Sequence, residues 1–265
     1  MQILDGKKVS EDIKKEIAAE VAQMKAKGEK VPHKTAIIVG NDGASLTYVA
    51  SKVKSCERVG FESTLIKMPS TTSETELLKK IKELNENDEV DGFIVQLPLP
   101  KQIDTQKIIE AIDPSKDVDG FHPENFGKMA LDMSTFIPAT PFGILELLER
   151  YNVPTDGKHT VVIGRSHIVG RPMGILMGRK GFPGNSTVTV THSHSKNINQ
   201  ITSQADIIIS ALGVPNFLKA EMVKDDVVII DVGITRVEDE TIEKGYRIVG
   251  DVDFENVSKK ASYIT

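Results

Sequence analysis

Thr160-Val-Val-Ile-Gly-Arg-Ser-His-Ile-Val-Gly-Arg-Pro172 decides the fold. Val161, Val162 and Ile163 are a short, β-branched apolar run, the composition of a strand buried in a parallel sheet. The run stops at Gly164, and a second glycine, Gly170, follows six positions later. Pro172 stands where the first turn of a helix tolerates proline, and 173–177 continue as helix. A strand, a glycine-bearing turn and a helix N-terminus bring unpaired N–H groups and the positive end of a helix dipole to one spot, an anion site. A dinucleotide is held in this way at the start of a Rossmann unit. The stretch departs from Gly-x-Gly-x-x-Gly, because Ser166 takes the place of the middle glycine. Taken alone, it also fits a tight strand-to-helix turn without a ligand.

The chain around this stretch has 265 residues, which at about 150 per domain predicts two domains. Apolar residues make up 39% and charged residues 27%, the balance of a globular protein rather than a disordered one. A net charge of −5 argues against a nucleic-acid partner, which calls for a basic surface. The single cysteine, Cys56, excludes a disulfide framework and points to a reducing, cytoplasmic setting. No apolar run approaches the ~18 residues of a membrane span, and the first residues lack the apolar core of a secretion signal. The six histidines are scattered without metal-ligand spacing, so no metal is expected.

Hydrophobic periodicity gives the order of elements. Val9, Ile13, Ile17, Val21 and Met24 recur at helical spacing over 8–27. Strands are predicted at 34–40, 61–68 and 91–96, and helices at 44–59, from Ser73 to about 85, and at 103–112. Ser73 with Glu76 forms a capping box. This alternation predicts a parallel α/β layer structure for the first half. Residues 113–140, rich in proline, glycine and acid, read as an irregular stretch of functional origin. A helix follows from Thr140. The second half resumes with strands at 160–164, 187–191, 206–210 and 226–232, a last strand at 246–249, and helices at 171–180 and 197–203.

Three further stretches carry chemistry. In Ser45-Leu-Thr-Tyr-Val-Ala-Ser-Lys52, Tyr48 and Lys52 lie four apart and share one helix face, while Val49 and Val53 can bury another. A lysine beside a phenol in a partly dry site exchanges protons near neutrality, although the same spacing also suits a surface pair. In Val95-Gln-Leu-Pro-Leu-Pro100, Gln96 ends a buried strand where open α/β sheets bind ligands, or simply caps it. In Lys116-Asp-Val-Asp-Gly-Phe-His122 the acids suit ligand amides or amidines, or an Asx-type turn.

Read together with the opening stretch, the chain resembles the bifunctional methylenetetrahydrofolate dehydrogenase/methenyltetrahydrofolate cyclohydrolase family almost from end to end. The matching motifs are Tyr48-Val-x-x-Lys52, Gln96-Leu-Pro-Leu-Pro100, Lys116-Asp-Val-Asp-Gly-Phe-His-Pro123, Pro138-x-Thr-Pro-x-Gly143, Gly164-Arg-Ser-x-Ile-Val-Gly170-x-Pro172, Thr191-His-Ser193, Ala211-x-Gly213-x-Pro215, Asp231-Val-Gly-Ile234 and Gly250-Asp-Val252. Any one could arise by chance; their joint order and spacing are specific.

The resemblance implies two α/β domains with a cleft between them, 1–140 binding folate and carrying catalysis, and 141–265 a Rossmann-type NADP-binding domain. It implies oxidation of 5,10-methylenetetrahydrofolate with NADP, then hydrolysis of the methenyl product to 10-formyltetrahydrofolate, in one-carbon metabolism. Lys52 would be the proton-handling residue, Tyr48 would stack on the folate, Gln96 would orient Lys52, and Asp119 would accept hydrogen bonds from the pterin. Leu97 and Pro98 would line the substrate, with Ser45 a secondary contact. Gly164, Val169 and Gly170 would line the cofactor. Arg165, Ser166 and Ser193, with His192 and His194 nearby, would surround a 2′-phosphate. The second strand's end, Val190-Thr-His-Ser-His194, has no acid to select a free ribose. Gly213 and Ile234 would lie toward the nicotinamide.

A homodimer is also implied, with the sheet edge at 187–191 as its expected place. Ala139 stands where many relatives have cysteine. Relatives usually continue past the position of Thr265 with a proline- and glycine-rich loop and a helix packing on the first domain; a form lacking these is expected to be less stable and slower. A dehydrogenase-only member, or a folate- or dinucleotide-binding relative without catalysis, shares these motifs.

Overall fold

Residues Lys7–Ala139 form one unit, and Met1–Gly6 together with Thr140–Thr265 form another. The structure is a computed structural model and describes residues 1–239, 241, 242 and 245–265. In chain order the first elements are β1 (Gln2–Ile3), α1 (Gly6–Ala26), β2 (His33–Val39), α2 (Gly43–Val59), β3 (Glu62–Met68), α3 (Glu74–Asn85), β4 (Gly92–Val95), α4 (Thr105–Ala111) and α5 (Pro123–Ala130).

Strands β3, β2 and β4 lie in that order, all parallel. Central β2 is buried from Thr35 and apolar from Ala36 to Val39, because both of its faces are covered there. Ile37 and Val39 pack with Leu77 and Ile81 of α3, whereas Ala36 and Ile38 pack with Val49 and Val53 of α2. The period of two along β2 therefore divides one run of sequence between two cores. Helix α3 starts with the capping box read from the sequence: Ser73 Oγ accepts from the Glu76 amide, and Glu76 accepts from the Ser73 amide. Helix α2 starts on Asp42, whose carboxylate accepts from Ser45 N, and ends at Gly60 with φ +85°.

The stretch 113–140 is not irregular throughout. Pro123 opens α5 under a cap from His122 Nδ1. Only two of its eight residues, Asn125 and Met129, are buried, so periodicity over so short a helix is weak.

The second unit holds α6 (Ala139–Arg150), β5 (His159–Ile163), α7 (Gly170–Gly178), β6 (Thr187–Thr191), α8 (Ile198–Thr202), β7 (Ile207–Ser210), β8 (Val227–Asp231), β9 (Thr235–Glu238), β10 (Tyr246–Val249), α9 (Phe254–Val257) and β11 (Ala261–Ile264). Its sheet runs β1-β11-β8-β7-β5-β6, parallel at every pairing. The expected strand at 246–249 forms, but in a separate antiparallel hairpin with β9, where Arg236 stacks over Tyr246. A single cut at 140 also differs from the observed division. Residues 1–6 belong with the C-terminal sheet because β1 adds to β11 and Leu4 N donates to Ile264 O. Strands β1 and β11 lack a readable pattern: two residues and four residues are too few to show alternation.

Candidate functional site

Three segments of the N-terminal unit meet around Lys52. Helix α2 carries Tyr48 and Lys52 on one face, Tyr48 exposed and Lys52 half-buried. Gln96 follows β4 directly, and its amide N–H is tied to Ile37 O. Asp119 arrives on a strand-like extension, because Phe93 pairs with Asp117 in parallel and so carries Asp119 alongside the end of β4. Lys52 Nζ lies 3.5 Å from Gln96 Oε1 and 3.8 Å from Asp119 Oδ1. The Gln96 amide nitrogen donates to Leu97 O at 2.8 Å, which turns the carbonyl oxygen toward Lys52. Leu97 is half-buried and Pro98 exposed, beyond the end of the strand.

Burial sets the charge behaviour. Desolvation pushes Lys52 below the ordinary lysine range; Asp119 pulls it partly back up, and Lys34 pushes it down. Burial likewise raises the Asp119 carboxyl, against the cations Lys52 and Lys34, with Asp117 adding to the rise. Each member of the pair is thus moved toward its neutral form by its surroundings and toward its charged form by its partner. Such a pair exchanges a proton at low cost.

Two sequence readings change here. Ser45 is buried, and both its amide and hydroxyl donate to Asp42 Oδ2 at 2.8 Å, so the hydroxyl braces the Asp42 cap of α2. Of the acids in 116–122, Asp117 is buried and occupied: its carboxylate accepts from His122 N and Asn125 Nδ2. That leaves Asp119 facing Lys52. Sequence reasoning missed Lys34, which looked like the polar start of a strand. Its signal was the period of two, which places it on the Ala36 and Ile38 face of β2 that α2 covers.

In the C-terminal unit the candidate cofactor residues share one sheet end. Ile163 pairs with Thr191 and with Ser210, and Ser210 pairs with Asp231. These four strand ends are level, so the segments starting at 192, 164, 211 and 232 leave side by side. Open parallel sheets bind ligands at this end. Gly164 has φ +123°, and a Cβ on it would lie 2.5 Å from Ala211 O. Arg165, Ser166, Ser193 and Gly213 are exposed, Ile234 is 65% exposed, His192 is half-buried, and Val169 and Gly170 are buried.

The opening stretch does not leave its helix N-terminus bare. Ser166 Oγ accepts from Val169 N at 3.1 Å and Gly170 N at 3.3 Å, and Ser166 O accepts from Arg171 N. The residue replacing the middle glycine thus covers the amides of Val169 and of Gly170, the first residue of α7. The Ser166 hydroxyl proton and the Arg165 guanidinium remain to meet an anion. His192 is a turn residue in the same sense: His194 N donates to its Nδ1 and its own amide donates to Ser195 Oγ.

A half-buried lysine beside a carboxylate in one α/β unit and a parallel-sheet end of dinucleotide-binding type in the other fit the class of two-unit α/β dehydrogenases. Residues 4–119 match the family model for the tetrahydrofolate dehydrogenase/cyclohydrolase catalytic domain, and residues 138–265 match that for its NAD(P)-binding domain. The chain is 83% identical to the bifunctional protein FolD of Flavobacterium psychrophilum, over 100% of this chain and 90% of that one. Among solved structures, the FolD enzyme of Campylobacter jejuni superposes with a TM-score of 0.93 at 45% identity, covering 100% of this chain and 90% of that one. The Trypanosoma brucei enzyme, solved with NADP cofactor and an inhibitor, gives 0.92 at 35% identity, covering 98% and 88%. The chain belongs to the tetrahydrofolate dehydrogenase/cyclohydrolase family.

Proposed function

We propose that the chain works as a bifunctional dehydrogenase and cyclohydrolase of one-carbon metabolism, with Lys52 as its proton-transfer residue. It oxidises 5,10-methylenetetrahydrofolate to the methenyl cation with NADP, and hydrolyses that cation to 10-formyltetrahydrofolate. One observation carries the assignment of the second step: a half-buried lysine of lowered basicity, 3.5 Å from a fixed amide oxygen and 3.8 Å from a carboxylate. A neutral amine takes the proton of the water that adds to the methenyl carbon. The carbon–N5 bond then breaks as N5 receives the proton from the ammonium so formed, and the carbinol hydroxyl releases its own proton to water as it becomes the formyl oxygen. A lysine that is partly neutral also tolerates a cationic substrate beside it. Asp119 accepts from the pterin N–H groups, Tyr48 offers a flat, exposed ring to the folate, and Leu97 and Pro98 line the substrate.

NADP supplies the hydride acceptor when bound. The residues at the sheet end fit it. The turn at Gly164 and Gly170 is closed by backbone where a Cβ would stand, Arg165, Ser166 and Ser193 are exposed donors, and the strand end at 190–194 carries no acid in its sequence. Gly213 and Ile234 lie on the adjacent segments, toward the nicotinamide. Replacing Arg165 by Gln is expected to raise the KM for NADP about tenfold, the scale of one lost charge-assisted hydrogen bond, and to leave that for NAD unchanged. Equal efficiency of NAD and NADP in the unaltered chain would remove the phosphate site.

The assignment is tested in one sample by following NADPH formation from methylenetetrahydrofolate together with decay of the methenyl absorbance. NADPH formation with stable methenyl absorbance would leave a dehydrogenase only, and neither signal would leave a binding protein. A cytoplasmic homodimer completes the reading. It is supported by the lone free cysteine and by β6, the outermost strand of its sheet, with Val190 40% exposed.

A further inference from the structure

Two motifs singled out in the sequence, Asp231-Val-Gly-Ile234 and Gly250-Asp-Val252, have no role in the reaction as described. The structure places their carboxylates one behind the other at the ends of β7 and β8. Asp251 is fully buried, with no ion pair among the described residues. Its Oδ2 accepts from Leu212 N at 2.6 Å, from Gly213 N at 3.2 Å and from Ser210 Oγ at 3.4 Å. Its Oδ1 accepts from Val214 N at 2.9 Å. Three successive amides closing on one anion form a nest, here filled by the protein's own carboxylate.

Asp231 repeats the arrangement one layer back. Its Oδ1 accepts from Gly233 N and Asp251 N, both at 2.9 Å, and its Oδ2 from Val252 N at 3.0 Å. Strand β8 thereby fixes the backbone of Asp251, and the side chain of Asp251 fixes 212–214. The same segment is held from its far side, where Asn216 N donates to Gly250 O and Leu218 N to Asp251 O. The joint has no slack. A Cβ on Gly233 would lie 2.3 Å from Asp251 Oδ1, and one on Gly250 would lie 1.9 Å from Asp231 Oδ2.

We propose that Asp251 is a positioning residue for the dinucleotide: its buried carboxylate holds the 211–215 segment preformed at the sheet end. The proposal rests on the reading of that segment as the nicotinamide side of an NADP site. The segment is exposed at Gly213 and at Val214, 48% exposed, and between its backbone anchors at Ala211 and Asn216 the Asp251 carboxylate is what holds its amides. Ordering it beforehand removes the entropy of ordering from binding. The geometry has a second consequence: the amides of 212–214 point inward, so the segment meets a ligand with its carbonyls and side chains.

The test uses the full chain. In Asp251→Asn one acceptor oxygen becomes an NH₂ group facing N–H donors, and the nest opens. The KM for NADP is expected to rise about tenfold or more, while hydrolysis of added methenyltetrahydrofolate, which needs the Lys52 centre alone, stays within about twofold. Unchanged KM would overturn the proposal, as would hydrolysis falling in step with NADP affinity, since that is general structural damage. Hydrogen exchange on the unaltered chain decides the matter if the variant does not fold. The amides of 212–214 are expected to be protected without NADP and to gain little with it. Fast exchange that slows only on adding NADP would show a segment ordered by its ligand, contrary to the proposal. Failure of the unaltered chain to bind NADP at all would instead strike the functional reading, and this proposal with it.

Discussion

Lys52→Met is expected to lose methenyl hydrolysis by about 10³-fold or more, the range of a positioned acid–base group. Met keeps the length and apolar stem of lysine, so α2 and its packing stay in place. The remaining partners, Gln96 and Asp119, cannot substitute. Gln96 has no titratable proton, and Asp119 loses the cation that most opposes its burial, so its carboxyl rises further and holds its proton more firmly instead of cycling it. Lys52→Arg sharpens the test. Guanidinium retains the charge and the ion pair but does not release its proton in proteins. A purely electrostatic role would survive this change; a proton-transfer role would not. Tyr48→Phe keeps the exposed ring and removes the hydroxyl, and should cost less than about tenfold.

The pH profile has a definite sign. Activity requires neutral Lys52, so the rate rises with pH through a limb that burial sets below the ordinary lysine value of 10.5. Hydrolysis that is unchanged in Lys52→Met, or a limb at the ordinary lysine value, would sink the assignment.

What the sequence made legible follows from what periodicity records. Strand β2, α2 and the capping box at Ser73 were readable because each repeats a pattern over several residues. The Lys52 centre was readable in part, since Tyr48 and Lys52 share a helix face, while Gln96 and Asp119 arrive from 44 and 67 positions away. Their approach depends on the parallel pairing of Phe93 with Asp117, a contact that no local pattern announces. The motif resemblance supplied that part. Lys34 was passed over, and Asp251 was quoted in a motif without a role, for a related reason. One acts across a sheet face, the other through amides 37 to 39 positions earlier, and neither is marked by local spacing.

Ser166 is the instructive case. It takes the place of the middle glycine, and the family resemblance implies that it contacts the 2′-phosphate. Its oxygen also accepts the amides of Val169 and Gly170, where α7 begins. A substitution that looked like a gap in a motif is a different solution to the same need, the covering of orphan N–H groups.

Gly170→Ala is expected to have the largest effect on the C-terminal unit. The added Cβ would lie 2.2 Å from Gly164 O, 2.5 Å from Gly164 C and 2.7 Å from Arg165 N. All three are backbone atoms of the turn between β5 and α7, so no side chain can swing aside. Either α7 moves off the strand end or the turn opens, and both break the Ser166 hydrogen bonds. Overpacking a well-filled core costs about 1–3 kcal/mol, and a clash wholly with backbone belongs at or beyond the top of that range. A loss of about 3 kcal/mol corresponds to a fall in melting temperature of roughly 10 °C. The rise in melting temperature that NADP gives the unaltered chain should vanish, since that rise measures binding to the folded state. Gly178→Ala is the control. It lies in the same helix, where the new Cβ meets only Val188 Cγ2 at an ordinary 3.8 Å. That change should be neutral or slightly stabilising, because alanine is the better helix former. If Gly170→Ala melts and binds NADP like Gly178→Ala, the close approach of helix to strand at Gly164 is not what shapes the cofactor site.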